Sequence, residues 1–440
     1  GAAGHMAALA ARGAVAPDGT NLPVPDHAPT VAVINNEKRQ GMKILISGGG
    51  RCNVTNERVS ETDYLCDKPK LVRRALRGFS AEAARRFFES RGVELYAEPL
   101  GKMFPKTDKA DDIVDCLHRA LKAADIEVYA PVTATSLKPV DGRWQIQTNE
   151  RGIIEAGKVI LATGGKSVPG TGSRGFGYQV LKQLGQEIDE PRPALTPVTL
   201  LSGPFSKLSG LTVPAVLSVV PEDTNADQIC SKRFKPAWRA AGSLLFTHDG
   251  ISGPVGLDVS GAINNDQISA DFWSLRQKDG PWVEYLSHAK PPGACFSKPP
   301  IPPTLEVFKQ QAQPLLASAE QSLGRALAAI FPHRLVRALL ELASIDEKTP
   351  ARAMDKARWH QLWLALTQAE MEPAGVAGFE KAEVTAGGLP LNELTRDFES
   401  RKQPGLFVCG EVLNVTGRLG GFNFQWAWTS GYLAGIGTAK

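Results

Sequence analysis

The chain has no pair of cysteines at redox or metal-finger spacing; its six cysteines stand singly at 52, 66, 116, 230, 295 and 409. That scatter excludes the CxxC and metal-finger classes, leaves no metal site to expect, and argues for reduced thiols in a cytosolic setting. No apolar run approaches the roughly 20 residues needed to span a bilayer, and no leader sequence is visible, so no membrane partner is expected and the cytoplasm is the default. An excess of one charge is also lacking. Fifty Lys and Arg face 46 Asp and Glu, a formal charge of +4, and no basic stretch stands out to suggest nucleic acid. At 440 residues the chain exceeds what one compact core serves, so two or three domains are expected.

What is present is glycine in clusters at the ends of apolar runs. Ile44-Leu45-Ile46 leads into Ser47-Gly48-Gly49-Gly50-Arg51-Cys52-Asn53-Val54-Thr55-Asn56. Three consecutive glycines let a backbone approach a ligand at distances a Cβ forbids, and the Arg, Asn and Thr that follow supply donors for carbonyl or phosphate oxygens. Val159-Ile160-Leu161-Ala162 ends in Thr163-Gly164-Gly165. Near the other terminus, Phe407-Val408-Cys409 stops at Gly410-Glu411, and Gly417-Arg418-Leu419-Gly420-Gly421-Phe422-Asn423 opens an apolar run through Trp426 and Trp428. A glycine pair that opens a helix aims backbone N–H groups and a positive helix end at an electron-rich ligand, the geometry of a flavin site.

Together these segments resemble the HI0933-like flavoproteins, FAD proteins with two dinucleotide-binding domains that are NAD(P)/FAD-dependent oxidoreductases. The resemblance runs from Gly1 almost to the last residue, interrupted by one or two loops. It implies an α/β fold: a Rossmann-like FAD-binding domain with a β-meander, interrupted by an inserted β-barrel-like and helical domain. The boundaries expected are 1–195 for the first part of the FAD domain, 196–303 for a strand-rich insert, 304–379 for a helical subdomain and 380–440 for the return. The resemblance also makes Gly48, Gly49, Gly50, Arg51, Cys52, Asn53, Thr163, Gly164, Gly165, Gly410, Gly420, Gly421, Phe422 and Asn423 cofactor-binding positions. It casts Glu411 as the acceptor for the ribityl chain. Arg51 and Asn53 stand as catalytic candidates, joined by His248 from Thr247-His248-Asp249-Gly250, where an imidazole can serve as general acid or the turn can simply be capped.

The amino terminus departs from that pattern. A dinucleotide-binding fold normally starts with a strand that runs into G-x-G-x-x-G. If Gly1 and Gly4 are its second and third glycines, His5 to Arg12 is the first helix, and the first strand and glycine are missing; Gly4-His5-Met6 also reads as a vector scar. A proline-rich loop follows over 14–29, and then the strand Thr30 to Ile34. At its end, where an acidic residue usually accepts from the adenosine ribose, stands Asn35, with Glu37 close by.

Apolar spacing predicts helices over Ser80–Arg91, Asp111–Ala123 and Gly177–Leu184, and a three-stranded meander over 126–136, 143–148 and 152–161. Helical spacing returns over Leu305–Leu323, Leu323–Phe331, His333–Leu342 and Ala351–Ala369, after a proline-rich linker over Lys290–Pro303. No second G-x-G-x-x-G appears, so NAD(P)H would dock transiently as co-substrate. The function expected is hydride transfer between reduced FAD and an unsaturated or carbonyl-conjugated small molecule. Two alternatives stay open: a flavin dehydrogenase or oxidase independent of NAD(P), and a degenerate flavoprotein that only binds. Oligomeric state is not legible.

Overall fold

The structure, a computed structural model, describes residues 1–263, 266–275, 300–316 and 321–440. The chain divides into two compact units, Gly1–Ala194 with Phe379–Lys440 and Leu195–Gly378. Most of the expected proline-rich linker lies outside the described residues. The strand-rich and helical segments that the sequence separates at 303 belong to a single unit.

In the first unit two parallel strand pairs carry the Rossmann-type layer, Ala32–Ile34 beside Glu127–Tyr129 and Val159–Leu161 beside Leu406–Val408. The meander is shifted from the sequence expectation: its strands are Ala134–Val140, Arg143–Thr148 and Gly152–Ala156. Residues 127–129 and 159–161 belong to the parallel pairs instead, because their apolar alternation suits either setting and only strand partners decide. The helix expected at Asp111–Ala123 spans Ala110–Ala123. That expected at Ser80–Arg91 spans Ala81–Glu89, with the Ser80 hydroxyl accepting from Ala83 N as its N-cap.

The first helix, Ala2–Ala11, is built almost wholly of small residues and packs on the last, Phe422–Thr438. A Cβ on Gly431 would lie 2.4 Å from Ala3 O, and one on Gly435 2.4 Å from Ala7 O. These two helices approach at backbone distance, which no larger side chain permits. Beside Gly4, the nearest atom to an added Cβ is Ala162 Cβ at 3.3 Å, so this glycine brings the first helix against the end of the strand at 159–161.

The last helix is buried on nearly every side, with Trp426 and Trp428 at 1% and 0% exposure. Its polar groups tie it to the segment after the glycine triplet. Trp428 Nε1 donates to Val54 O at 2.9 Å, Thr55 Oγ1 donates to Gln425 Oε1 at 2.6 Å, and Thr429 Oγ1 donates to Phe79 O at 2.7 Å. The first two of these bonds hold the helix beside residues 54 and 55, and the third ties it to Phe79.

In the second unit, antiparallel pairing joins seven strands in the order Ala369–Met371, Gln267–Asp271, Thr212–Val220, Trp238–Phe246, Gly250–Ser252, Val198–Leu200 and Pro373–Val376. Where a barrel-like insert was expected, the pairings among the described residues make an open order. Its two edge strands come from the chain segment that follows the helices. The apolar run at 305–323 yields the helix Leu305–Ala312, with residues 317–320 outside the description, and the run at 351–369 yields Lys356–Thr367, N-capped by Asp355. No helix among the described residues is long and apolar enough to cross a membrane.

Candidate functional site

The glycine triplet follows the short helix Met42–Ile46, and all three glycines take left-handed backbone, with φ of 57°, 70° and 85°. L-residues with a Cβ rarely adopt three such conformations in a row, so the turn requires glycine. An added Cβ on Gly48 would sit 3.1 Å from Asn53 N and 3.1 Å from the Phe104 ring, while around Gly49 nothing lies within 4 Å. The triplet is exposed backbone resting on Phe104 on one side and open on the other.

Gly421 faces the same place. Its φ is 93°, and a Cβ there would fall 2.3 Å from Thr55 O and 2.8 Å from Asn53 Oδ1. The glycine turn, Asn53 and the N-terminus of the last helix therefore converge, although some 370 residues separate them in sequence. Asn53 Oδ1 is buried and has no hydrogen-bond partner, and Thr163 Oγ1, at the end of the strand at 159–161, is in the same condition. Buried acceptors left unpaired cost free energy and mark a place where a partner belongs.

Glu411 stands at the centre of a second group. Its Oε1 accepts from Thr385 N at 2.9 Å and Ser167 Oγ at 3.0 Å, and its Oε2 accepts from Lys43 Nζ at 2.9 Å. Lys43 also donates to Ser167 Oγ. Thr385 Oγ1 accepts from Lys166 N at 2.8 Å and Ser167 N at 3.2 Å, so the segments 43, 165–167, 385 and 411 are tied together. A Cβ on Gly165 would lie 2.7 Å from Glu411 Oε1, which brings Gly165 against this carboxylate. Next to this group Val168 has φ of 48°, a left-handed conformation that a β-branched residue adopts only under strain.

Other expected site residues have different surroundings. Arg51 turns to Glu98, at 2.6 Å, with Asp108 at 3.5 Å, and lies 4.1 Å over the Phe104 ring. Tyr96 donates to Asp108 at 2.8 Å in the same cluster, and that bond with the carboxylate pushes its phenol up to about 12. Cys52 is fully buried in the apolar core, and burial pushes its thiol up to about 12. The Phe422 ring is in the core too, against Tyr64 and Arg418. Asn423 bonds Gly417 twice, Nδ2 to O at 2.7 Å and Gly417 N to Oδ1 at 2.8 Å, which closes the loop before the helix. Asn35 Nδ2 donates to Glu37 O at 2.6 Å. Gly410 N donates to Ser430 Oγ, and a Cβ on Gly410 would meet Ala3 Cβ at 2.8 Å, so this glycine serves helix packing. Gly1 has nothing within 4 Å of an added Cβ.

His248 belongs to the second unit, on the turn between the strands Trp238–Phe246 and Gly250–Ser252. It lines a cavity of about 530 Å³ with Gln267, Glu370, Glu372 and Leu201. Sequence reasoning missed Lys43, Ser167 and Thr385. All three lie within a few residues of glycine motifs, but their pairing spans up to 368 positions and leaves no local signal.

A parallel α/β layer with glycine turns at its strand ends and a closing helix aimed at one of them is a Rossmann-type, mixed α/β protein. The chain belongs to the HI0933-like family: the model of the HI0933-like protein Rossmann domain matches residues 1–437. It is 33% identical over 404 residues to the ribosomal RNA dihydrouridine synthase of Escherichia coli, covering 91% of this chain and 90% of that protein. It is 30% identical over 447 residues to the 3-dehydro-bile acid delta(4,6)-reductase of Clostridium scindens, covering 100% of this chain and 97% of the reductase. To the ribosomal RNA dihydrouridine synthase of Haemophilus influenzae it is 29% identical over 418 residues, 93% of each chain.

Proposed function

We propose that the chain is an FAD-dependent oxidoreductase that reduces a carbon–carbon double bond conjugated to a carbonyl, with NAD(P)H as electron donor. The observation that carries this reading is the convergence of an open glycine turn, a helix N-terminus and the unpartnered Asn53 Oδ1. A flavin fits those surroundings chemically. It offers ring and ribityl donors for unpaired acceptors, and anionic phosphates for exposed backbone N–H groups. When bound, FAD supplies the two-electron chemistry that a conjugated double bond needs.

The residues then divide the work. Gly48, Gly49 and Gly50 admit the cofactor at backbone distance, Gly421 lets the helix start sit against Thr55 and Asn53, and Asn53 and Thr163 accept from the cofactor. Glu411, held by Lys43, Ser167 and Thr385, keeps a fixed carboxylate beside Gly165. The N-terminus of the helix at 422–438 favours negative charge on the reduced ring. Arg51 is an orienting residue through Glu98 and Phe104, and His248 is the proposed proton donor.

The relatives' names support the reaction type. A dihydrouridine is a uridine whose ring double bond, conjugated to a carbonyl, has been reduced, and the delta(4,6)-reductase is named for double bonds in a 3-oxo acid. Two substrate classes follow, a uracil base in RNA and a steroid-like enone. The test is the visible spectrum of the protein incubated with FAD and gel-filtered, then mixed anaerobically with NADH or NADPH. Retained flavin bands that bleach with either nucleotide support the reading. Retained bands that neither nucleotide bleaches turn it towards an NAD(P)-independent enzyme, and a colourless protein sinks it.

A further inference from the structure

The near-neutral charge of the whole chain hides one strongly basic helix. Residues 68–77 contain Lys68, Lys70, Arg73, Arg74 and Arg77 and no acidic residue. The helix Pro69–Gly78 places Lys70, Arg73, Arg74 and Arg77 at i, i+3, i+4 and i+7, one stripe of its surface, and all four are exposed. The opposite stripe is Val72, Ala75 and Leu76, buried in the first unit, where the helix packs on the last helix.

Among the described residues this stripe is only partly balanced. Arg73 pairs with Glu61 and Lys68 lies 3.7 Å from Asp67, but among the described residues no carboxylate is within ion-pair distance of Lys70, Arg74 or Arg77. The arrangement is unfavourable by itself. Lys70 stands in the first turn, at the positive end of the helix, and Lys70 with Arg74, like Arg73 with Arg77, are like charges four apart. Such a face is relieved by a polyanion laid along it.

We propose that the exposed stripe of this helix is a docking surface for the phosphate backbone of RNA. The proposal rests on the reductase reading above and deepens it by choosing the nucleobase class of substrate. An anionic membrane fits less well, because a helix that lies in a lipid interface inserts an apolar face. Here that face is covered by the protein's own core, and only Leu71, 39% exposed, is left outward.

The test uses the full chain loaded with FAD and a fluorescein-labelled 30-nucleotide RNA hairpin with uridines in its loop, followed by anisotropy between 50 and 300 mM KCl. Three proteins are compared: the wild type, a neutral triple variant (Lys70→Gln, Arg74→Gln, Arg77→Gln), and a charge-preserving one (Lys70→Arg, Arg74→Lys, Arg77→Lys). Counterion release predicts that the neutral variant binds at least about tenfold more weakly at 100 mM salt, with a slope of log K against log salt shallower by about 2. The charge-preserving variant keeps the wild-type affinity within about twofold, since phosphate contacts need charge and not a particular side chain. Flavin absorbance and its bleaching by NADH are read in the same samples. Loss of flavin with RNA binding intact defeats the reductase reading alone. Flavin intact with equal RNA affinity in all three proteins overturns the docking surface. So does stripe-dependent binding to phosphatidylglycerol vesicles without binding to the hairpin.

Discussion

Two buried sites, one in each unit, leave polar atoms unpaired in contrasting settings. In the first, Asn53 Oδ1 and Thr163 Oγ1 lack partners at the ends of strands and turns, and Asn53 lies beside Gly48 of the exposed glycine triplet. In the second, the fully buried Asp271 ends the strand Gln267–Asp271; its Oδ1 accepts from Trp273 N at 2.8 Å and Ser274 N at 2.9 Å, and its Oδ2 is unpartnered. Burial pushes the Asp271 carboxyl up to about 6. An unpaired acceptor beside exposed glycine backbone calls for a ligand, whereas a fully buried carboxylate is relieved by a proton. The same symptom, in two settings, has two remedies.

The largest effect that would break this comparison is at Gly421. Gly421→Val drives a side chain into Thr55 O and Asn53, on backbone at φ of 93°. We expect flavin retention after gel filtration to disappear; unchanged retention would remove Gly421 from the site. Trp428→Ala empties the core that holds the last helix, and a urea titration is expected to show a loss of about 3–5 kcal/mol. Smaller is Glu411→Gln, which keeps shape but removes the charge that Lys43 faces. Flavin fluorescence titration should find FAD bound about tenfold more weakly, about 1.4 kcal/mol.

Acid should separate the units by sign. Burial pushes the His5 imidazole down to about 3 from an ordinary value of 6.5, so below pH 6.5 the unfolded chain takes up a proton that the folded one refuses. Stability from this group is lost as pH falls towards 3. Asp271 retains its proton up to about 6 when folded but loses it at 3.8 when unfolded, so its contribution is present below 3.8 and fades as pH rises to 6. Hydrogen exchange followed from pH 6.5 to 4 should show protection falling around His5 and rising around Asp271, each by at most about 1.4 kcal/mol per pH unit. The smallest expected effect is on flavin retention in His248→Asn, which should match the wild type while turnover falls. Lost retention would make His248 a cofactor residue.

Some of this was legible from residues alone. Glycine triplets and pairs at the ends of apolar runs announce backbone that approaches a ligand, because the requirement for a missing Cβ is local. Helices at 81–89, 110–123 and 333–342 were legible for a similar reason: 3.6-residue periodicity and caps are written in consecutive residues. The basic helix was equally local, yet a chain-wide charge balance averaged it away.

Tertiary structure decided the rest. Which of the strands near 127 and 159 join the parallel pairs and which segments form the meander depends on partners as distant as residues 32 and 406. That Arg51 turns to Glu98, that Cys52 faces the core, and that Lys43 meets Glu411 across 368 positions depends on distances between segments, which no local pattern encodes. The sequence by itself determined where the backbone must come close to something. Only the fold decided which side chains meet there, because hydrogen bonds and ion pairs act over a few ångströms of space and are indifferent to separation along the chain.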